Sequence, residues 1–466
     1  MIKNNLKNNS GYALIQVIVF ATISAYMLGA LVSWAVVNIK ASKNTAGSEQ
    51  ALQIAEAGID YYRWHLAHAP TDFMDGTATS GPYIHNFNDK DGNTIGTFTL
   101  DITAPSLGST LVTIQSTGKI IADPTISRTI KAKLAKPSMA KYAVAANADM
   151  RFGAGTEIYG PLHSNGGILF DGIAHNIISS NKETYTDPDY HTNEYAVHTR
   201  VSPIDPAPPS TLPERPDVFM AGRQFPLPQV DFSGITADLA LMKTAAQTNG
   251  FWLGSSDKSG YHIILKTNNT FDLKKVTKVI SNNGCDDTWS INNETVIGNY
   301  PMPANGIIFL EDNIWVDGRI DNNRLTILAA VLPDAIATRK NIIINNDLLY
   351  TNYNGTDVIG LIAQNNINVG LRSEDDLRID AALIAQKGRA GRNYYSSSCS
   401  STYYKRQTIT LYGMIGTYLR YGFAYVDGTG YQIRNLNYDA NLLYAPPPSF
   451  PLTSDQYITL SWEEVR

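Results

Sequence analysis

Charge is scarce in this chain. Asp, Glu, Lys and Arg make up 17% of its 466 residues, below the roughly 25% usual in globular domains. No long Lys/Arg block occurs, and the net charge is -5. A chain without a concentrated basic surface is not built to neutralise phosphates, which excludes nucleic acid as a partner. Cysteine is scarcer still, with two residues, Cys285 and Cys399. An even pair outside the cytosol makes one disulfide plausible, and two free thiols are the alternative. The glycine and serine patterns of common catalytic loops are also missing: no GxSxG elbow, Walker loop or dinucleotide-binding glycine run is present. What is there is apolar residues, at 43%, and 26 tyrosines, with abundant Asn and Gly. The length allows two or three domains, and the composition suits an elongated, secreted β protein more than a cytosolic enzyme.

The N-terminus gives this protein an address. Residues 1–11, MIKNNLKNNSG, are polar, with Lys3 and Lys7 as their only charged side chains. Tyr12 to Ile39 then carries no charge, and a helix of about 20 such residues spans a bilayer. Lys40 and Lys43 follow, so both flanks are weakly basic and charge sets no orientation. A secretory signal places its cleavage site after a short apolar stretch. Here the stretch is long, and the small residue, Gly11, precedes it. Past the span, Leu52, Ala55, Ile59, Tyr62 and Leu66 recur at spacings of three and four, an amphipathic stripe that Pro70 ends. One helix over 12–69 is therefore expected, membrane-spanning over 12–39.

Gly11-Tyr12-Ala13-Leu14-Ile15-Gln16 resembles the leader junction of type IV prepilins, in which a peptidase cuts after the glycine and the apolar helix stays in the mature protein. The segment Ala55-Glu56-Ala57-Gly58 is similar to one found in PilX-like minor pilins. The resemblance implies a processing site at Gly11 and Tyr12, and a prepilin peptidase, other pilin subunits and the inner membrane as partners. It also implies a single-pass inner-membrane protein that becomes part of a cell-surface filament. One position departs from the pattern. The family usually has a glutamate where this chain has Gln16, and that glutamate is held to pair with a neighbour's terminal amine. A glutamine cannot neutralise an amine. Minor members that lack the glutamate include the tip pseudopilin of type II secretion. Two readings follow: a subunit at or near the filament tip, with no neighbour ahead, or a low-copy subunit that tolerates Gln16.

Beyond the helix, residues 71–94 read as loop, and three alternating runs at 97–103, 111–121 and 126–134 predict a small antiparallel sheet over 95–136. Residues 140–200 open a β-rich region. Eight of the 22 prolines then fall between Pro203 and Pro228, predicting a stiff surface connection over 201–230. The region 231–466 begins with a helix over 235–248, with Leu239, Met242 and Ala246 on one face and Gly250 at its end. From about residue 260 it continues as short β-branched runs between Asn/Asp/Gly turns. That pattern, without a strict period, suits a β-helix or solenoid more than a sandwich. The fold class expected is α+β: a long pilin-like helix with a small antiparallel sheet, then a mainly-β region of β-helix or solenoid type. Segments such as GPLHSNGG at 160–167 and GLIAQNNINV at 360–369 resemble the C-terminal region of large pilin-like proteins, which implies architecture and no activity.

Two other classes compete: a membrane-anchored β-helix surface protein that never enters a filament and, since a β-helix can carry polysaccharide chemistry, a polysaccharide-active enzyme. Glycoside hydrolysis needs two converging carboxylates. The adjacent acids Asp286-Asp287, Glu311-Asp312 and Asp375-Asp376 stand in turns, and neighbouring residues on a strand face opposite ways, so solvated turn acids are the favoured reading. Asp89-Lys90-Asp91-Gly92-Asn93 departs from a calcium loop, with glycine at the fourth position in place of the sixth, and reads as a turn. His163 reads as a packing or corner histidine, and His191 and His198 lack metal-site spacing. No catalytic residue, metal or cofactor is assigned. The loop around Cys399, with Tyr394, Tyr395, Tyr403 and Tyr404 among small polar residues, has the composition of an adaptable binding surface. It is a candidate adhesive loop for a surface or glycan ligand of unknown identity, with an ordinary surface loop as the alternative.

Overall fold

The structure is a computed structural model that describes residues 10–105, 109–281, 285 and 287–465. The chain divides into two compact units. The first comprises residues up to 104, 112–134 and 459–466; the second comprises 105–111 and 135–458.

The first unit starts with one helix, α1, over Ser10–His68. No proline or charge interrupts its first half, and it closes where Ala69 N–H donates to the His65 carbonyl (2.8 Å), just before Pro70. Its side chains divide sharply along its length. From Tyr12 to Ile39 the apolar residues are exposed, whereas Ala51, Ile54, Ala55, Ile59, Tyr62 and Leu66 are buried. Leu52, expected on the buried stripe, is only half-buried, because Ala51 and Ile54 take the contact.

The buried stripe lies on an antiparallel meander of β1 (Tyr83–Asn88), β2 (Thr94–Thr103), β3 (Val112–Ile120) and β4 (Ser127–Ala135). Alternate residues Phe98, Leu100, Ile114, Ile130 and Ala132 point into the shared core. Two glycines permit the close approach. A Cβ at Gly118 of β3 would lie 2.1 Å from the Ala51 carbonyl oxygen, and one at Gly58 of α1 would lie 2.3 Å from Ser116 Oγ. The last glycine of the Ala55–Gly58 motif is thus the point at which helix crosses strand.

Two strands of this sheet lie where the sequence pattern placed none or placed them elsewhere. β1 forms within the stretch expected to be loop; its run, YIHNFN, is short and half polar and gave little signal. The C-terminal strand Ile458–Val465 completes the sheet beside β4, although it was expected with the C-terminal region. Within the unit, Arg128 pairs with Glu464 and also reaches Ser48 Oγ at 2.6 Å.

The second unit is mostly β, built from parallel ladders. One ladder runs through ten short strands. Starting from Val144–Ala146, it steps to Leu162–Ser164, Ile178–Ser180 and Arg223–Gln224 in one direction. In the other direction Val144–Ala146 pairs with Ile415–Thr417. From there the ladder continues back through Asp376–Ala385, Val358–Ala363, Arg324–Ala329 and Ile307–Leu310 to Phe251–Leu253. The chain therefore enters in the middle, winds to one end, crosses to the other end, and winds back. A second ladder joins Gly260–Leu265, Ile314–Ile320, Ile342–Ile343, Ile367–Val369 and Ala390–Arg392.

Runs such as IIFL and VIGLIA are apolar at every position because both faces are covered. Ile308, Leu310, Ile327, Leu361 and Leu383 enter one core. Ile307, Phe309, Leu328, Ile362 and Ile384 enter another, which is closed by Ile235, Leu239, Met242 and Ala246 of helix α2 (Ile235–Asn249). Asparagines hold the corners. Asn341 Nδ2 donates to Asn313 Oδ1 (3.1 Å), and Asn365 Nδ2 donates to Asn341 Oδ1 (3.0 Å). Asn165 does the same for Asn147 (3.0 Å) in the other arm.

The proline-rich segment corrects the expectation of a surface connection. Val218 and Phe219 are buried, Phe219 bridges to Ala174, and Arg223–Gln224 adds a strand to the ladder. A buried carboxylate, Asp205, binds both Arg215 (3.7 Å) and Arg223 (2.6 Å). No proline lies between Pro216 and Pro226, so those residues were free to pair.

Candidate functional site: an exposed apolar helix and a stapled tyrosine loop

Two features of the chain offer surfaces for other molecules. The first is the leading half of α1. Between Tyr12 and His68 it contains a stretch of mean hydropathy 2.1 with none of its residues buried, enough by length and composition to cross a membrane. Gly11 stands in its first turn; residues 1–9 of the expected leader lie outside the described residues. Tyr12 is 77% exposed. Gln16 is exposed as well, among Leu14, Ile15, Val17 and Ile18. A polar amide surrounded by apolar side chains gains most from a hydrogen-bonding partner once water is removed.

The second feature is the loop over 394–404 in the second unit. Cys399 is bonded to Cys285, with their Cα atoms 5.4 Å apart. The four tyrosines differ in surroundings. Tyr395 is buried, and its hydroxyl donates to the Asp287 carbonyl (2.7 Å). Tyr403 and Tyr404 are half-buried, with the Tyr403 ring lying 4.7 Å from the Arg406 guanidinium and 5.3 Å from that of Arg372. Tyr394 is the exposed member; its hydroxyl donates to Asp427 Oδ2 (2.9 Å), and its ring meets Tyr425 edge-on at 5.1 Å. Bonding to Asp427 raises the Tyr394 pKa, so the phenol stays protonated at neutral pH. Of the four tyrosines of the candidate adhesive loop, then, Tyr394 alone is exposed, and Tyr395 packs inward beside Arg392.

Arg392 organises this loop and gave no signal in the sequence. It is wholly buried, donates to the carbonyls of Leu371 (3.0 Å) and Tyr403 (2.6 Å), and lies 5.0 Å from the Tyr395 ring and 5.7 Å from the Tyr431 ring. Burial pulls its pKa down to about 10, still charged at pH 7. The aromatic faces and carbonyl dipoles carry that charge. An isolated Arg between Gly391 and Asn393 belongs to no periodic pattern.

Arg372 also lines a cavity of about 210 Å³, with His262, Trp315, Asp317, Asn345 and Asn346. His262 Nδ1 faces Glu294 (2.8 Å) and Nε2 faces Asp317 (3.0 Å). Burial disfavours the imidazolium, but the two carboxylates outweigh it and raise the pKa. This constellation was not read from the sequence, since its members come from three separate strands.

Most of the other polar residues weighed from the sequence have local partners. Asp312 is buried and accepts from Ser256 N (2.9 Å) and Oγ (2.7 Å), while Glu311 pairs with Lys243. Asp375 meets Arg406 (3.3 Å), and Asp376 is exposed. Asp286 lies outside the described residues. Asp89 accepts from the Asp91 and Asn93 amides (2.9 Å each), closing the turn between β1 and β2. His163 is buried, with Nδ1 at 3.0 Å from Ser179 Oγ, and burial lowers its pKa to about 4. His198 is buried with Nε2 3.3 Å from Asp187 Oδ2, and burial lowers its pKa too. His191 is exposed. Among the described residues, no group of three or more His, Cys, Asp or Glu is placed to hold a metal ion.

No protein-family model matches the sequence, and no curated protein does. Among solved structures, the competence-associated pilin ComZ from Thermus thermophilus aligns over 90% of this chain and 97% of its own, at 14% identity and a TM-score of 0.30. A score that low does not establish a shared fold, and nothing about function is transferred from it.

Proposed function

We propose that this chain is a structural subunit of a type IV pilus or pseudopilus-like filament, a minor pilin at or near the filament tip. The observation that carries the reading is α1: one helix whose leading half is charge-free and unpacked, and whose second half is fixed to an antiparallel sheet. Such a helix holds the subunit in the inner membrane before assembly and packs with other subunits afterwards. The glycine–aromatic junction at Gly11-Tyr12 is the cut site of a prepilin peptidase. Gln16 suits a subunit with no neighbour ahead of it, since it makes no demand for an amine.

The second unit, read as a β-helix, is the part displayed, for assembly initiation or surface adhesion. The parallel ladders and asparagine corners support that reading, and Tyr394 with the cavity beside Arg372 offers polar and aromatic groups to a surface ligand. In this reading the chain has no catalytic role.

The mature N-terminus tests it. Mass spectrometry of protein made with and without the host's prepilin peptidase should give a chain starting at Tyr12 only when the peptidase is present. An intact Met1 in both, or a cut beyond residue 40, would reject the pilin reading. Tip placement is checked separately by immunogold labelling, which should decorate filament ends and not shafts.

A further inference from the structure

A hollow of about 710 Å³ opens in the first unit where α1 leaves its charge-free stretch, lined by Val36, Ile39, Lys40, Lys43, Ile120 and Ile126 among others. One wall is α1 and the other is the turn between β3 and β4. The two walls meet at Gly47, where a Cβ would lie 2.9 Å from Ile126 Cδ1 and 3.0 Å from Ile120 Cδ1. Of its apolar lining, Val36 and Ile39 are 58% and 57% exposed.

Depth gives these features a common meaning. As a helix, Tyr12 to Ile39 extends roughly 42 Å, whereas a bilayer's hydrocarbon core is about 30 Å thick. The last apolar turns, and the hollow with them, then fall at the level of the headgroups when the span occupies a membrane. Lys40 and Lys43 line the hollow and are exposed. The acid among them, Asp123, accepts from Thr125 Oγ1 (2.5 Å) and N (3.1 Å); these bonds, helped by Lys40, hold its pKa below the usual carboxylate range. Its hydrogen bonds are made within its own turn, so Lys40 is met only by its charge and the ammonium groups stay open to an outside anion.

We propose that this hollow seats an anionic phospholipid, with an acyl chain against Val36, Ile39, Ile120 and Ile126 and the phosphate on Lys40 and Lys43. It rests on the membrane-anchored reading above. A second copy's apolar helix would fill the greasy wall, but it carries no anion between Tyr12 and Ile39 and would leave both lysines unanswered.

The test uses the full chain in nanodiscs of phosphatidylcholine, alone or mixed about 3:1 with phosphatidylglycerol, followed by native mass spectrometry of the lipid retained. Phosphatidylglycerol should be retained in preference to phosphatidylcholine. Lys40→Gln and Lys43→Gln should weaken that retention about fivefold each, the effect expected of a lysine near an anionic surface, while both variants still float with vesicles. Equal retention of the two lipids, retention indifferent to the double substitution, or a lipid-free dimer in place of the lipid-bound monomer would overturn the proposal. Failure of the unaltered chain to float with vesicles would instead overturn the membrane anchoring beneath it, so the two failures are told apart.

Discussion

Single residues in this chain show how burial decides behaviour. His163 lies in GPLHSNGG, on a ladder strand, and has no exposed surface. Its pKa of about 4 when folded is below the ordinary 6.5, so the unfolded chain takes up the proton first as pH falls. The stability it leaves intact at pH 7 is therefore lost progressively from pH 6.5 down to about 4. At the bottom of that window the loss is on the order of 3 kcal/mol, from 1.36 kcal/mol per unit. His163→Gln should flatten part of the dependence in urea melts at pH 4, 5 and 7; an unchanged slope would place the titration elsewhere, with His198 the next group to substitute. The disulfide makes a second case. Cys285 and Cys399 are 114 residues apart, and closing a loop of that length restrains the unfolded chain by up to about 4–5 kcal/mol. Cys399→Ser, or reduction, should lower the melting temperature of the second unit by several degrees. Loss of the disulfide without any shift would mean that the loop's other bonds, those of Arg392, Tyr394 and Tyr395, suffice to hold it. The cysteines were legible from number and compartment. Arg392 was not, because a buried cation held by carbonyls and tyrosine rings leaves no trace in spacing.

At the scale of elements, legibility followed pattern strength. The charge-free run and the stripe to Leu66 gave α1 nearly to its last residue, and alternation gave β2, β3 and β4 within a few residues. β1 was lost because its run is short and half polar and lies among Gly, Asp, Asn and Pro residues that read as loop. The proline-rich segment was misjudged because composition was averaged over 201–230, whereas Val218–Gln224 sits in a proline-free window and packs. The contact between α1 and β3 is the most demanding one in the first unit, because at Gly118 backbone faces backbone. A side chain cannot rotate away from the Ala51 carbonyl 2.1 Å from where its Cβ would stand. Gly118→Val should therefore cost at least about 1–3 kcal/mol, the usual penalty of overpacking, and should lower the first unit's thermal transition while leaving the second unit's in place. Gly298→Val, in a half-buried stretch where the nearest atoms belong to the tip of the Tyr300 ring at 3.3 Å or more, is the control and should have a smaller effect.

For the whole molecule, connectivity is the less obvious property. The second unit is inserted between β4 and the strand Ile458–Val465, so the first unit's sheet is completed only by residues that follow the whole second unit. Sequence reading assigned that strand to its nearest neighbours along the chain, a sound default that an insertion defeats. The second unit has its own version of the same device, with two arms joined where Val144–Ala146 meets Ile415–Thr417. Its intervals are uneven, with Val144 opposite Leu162 but Arg324 opposite Val358, which is why no strict period could be read. A chain ending at Tyr457 separates the two units experimentally. It loses the edge strand and the Arg128–Glu464 pair, yet it keeps every ladder of the second unit. Hydrogen exchange at the β4 amides should rise sharply, because their outer partner is gone, while Val358–Ala363 and Asp376–Ala385 stay protected. If protection fell in both units together, folding of the inserted unit would depend on closure of the first sheet, and the chain would behave as one cooperative body in place of two.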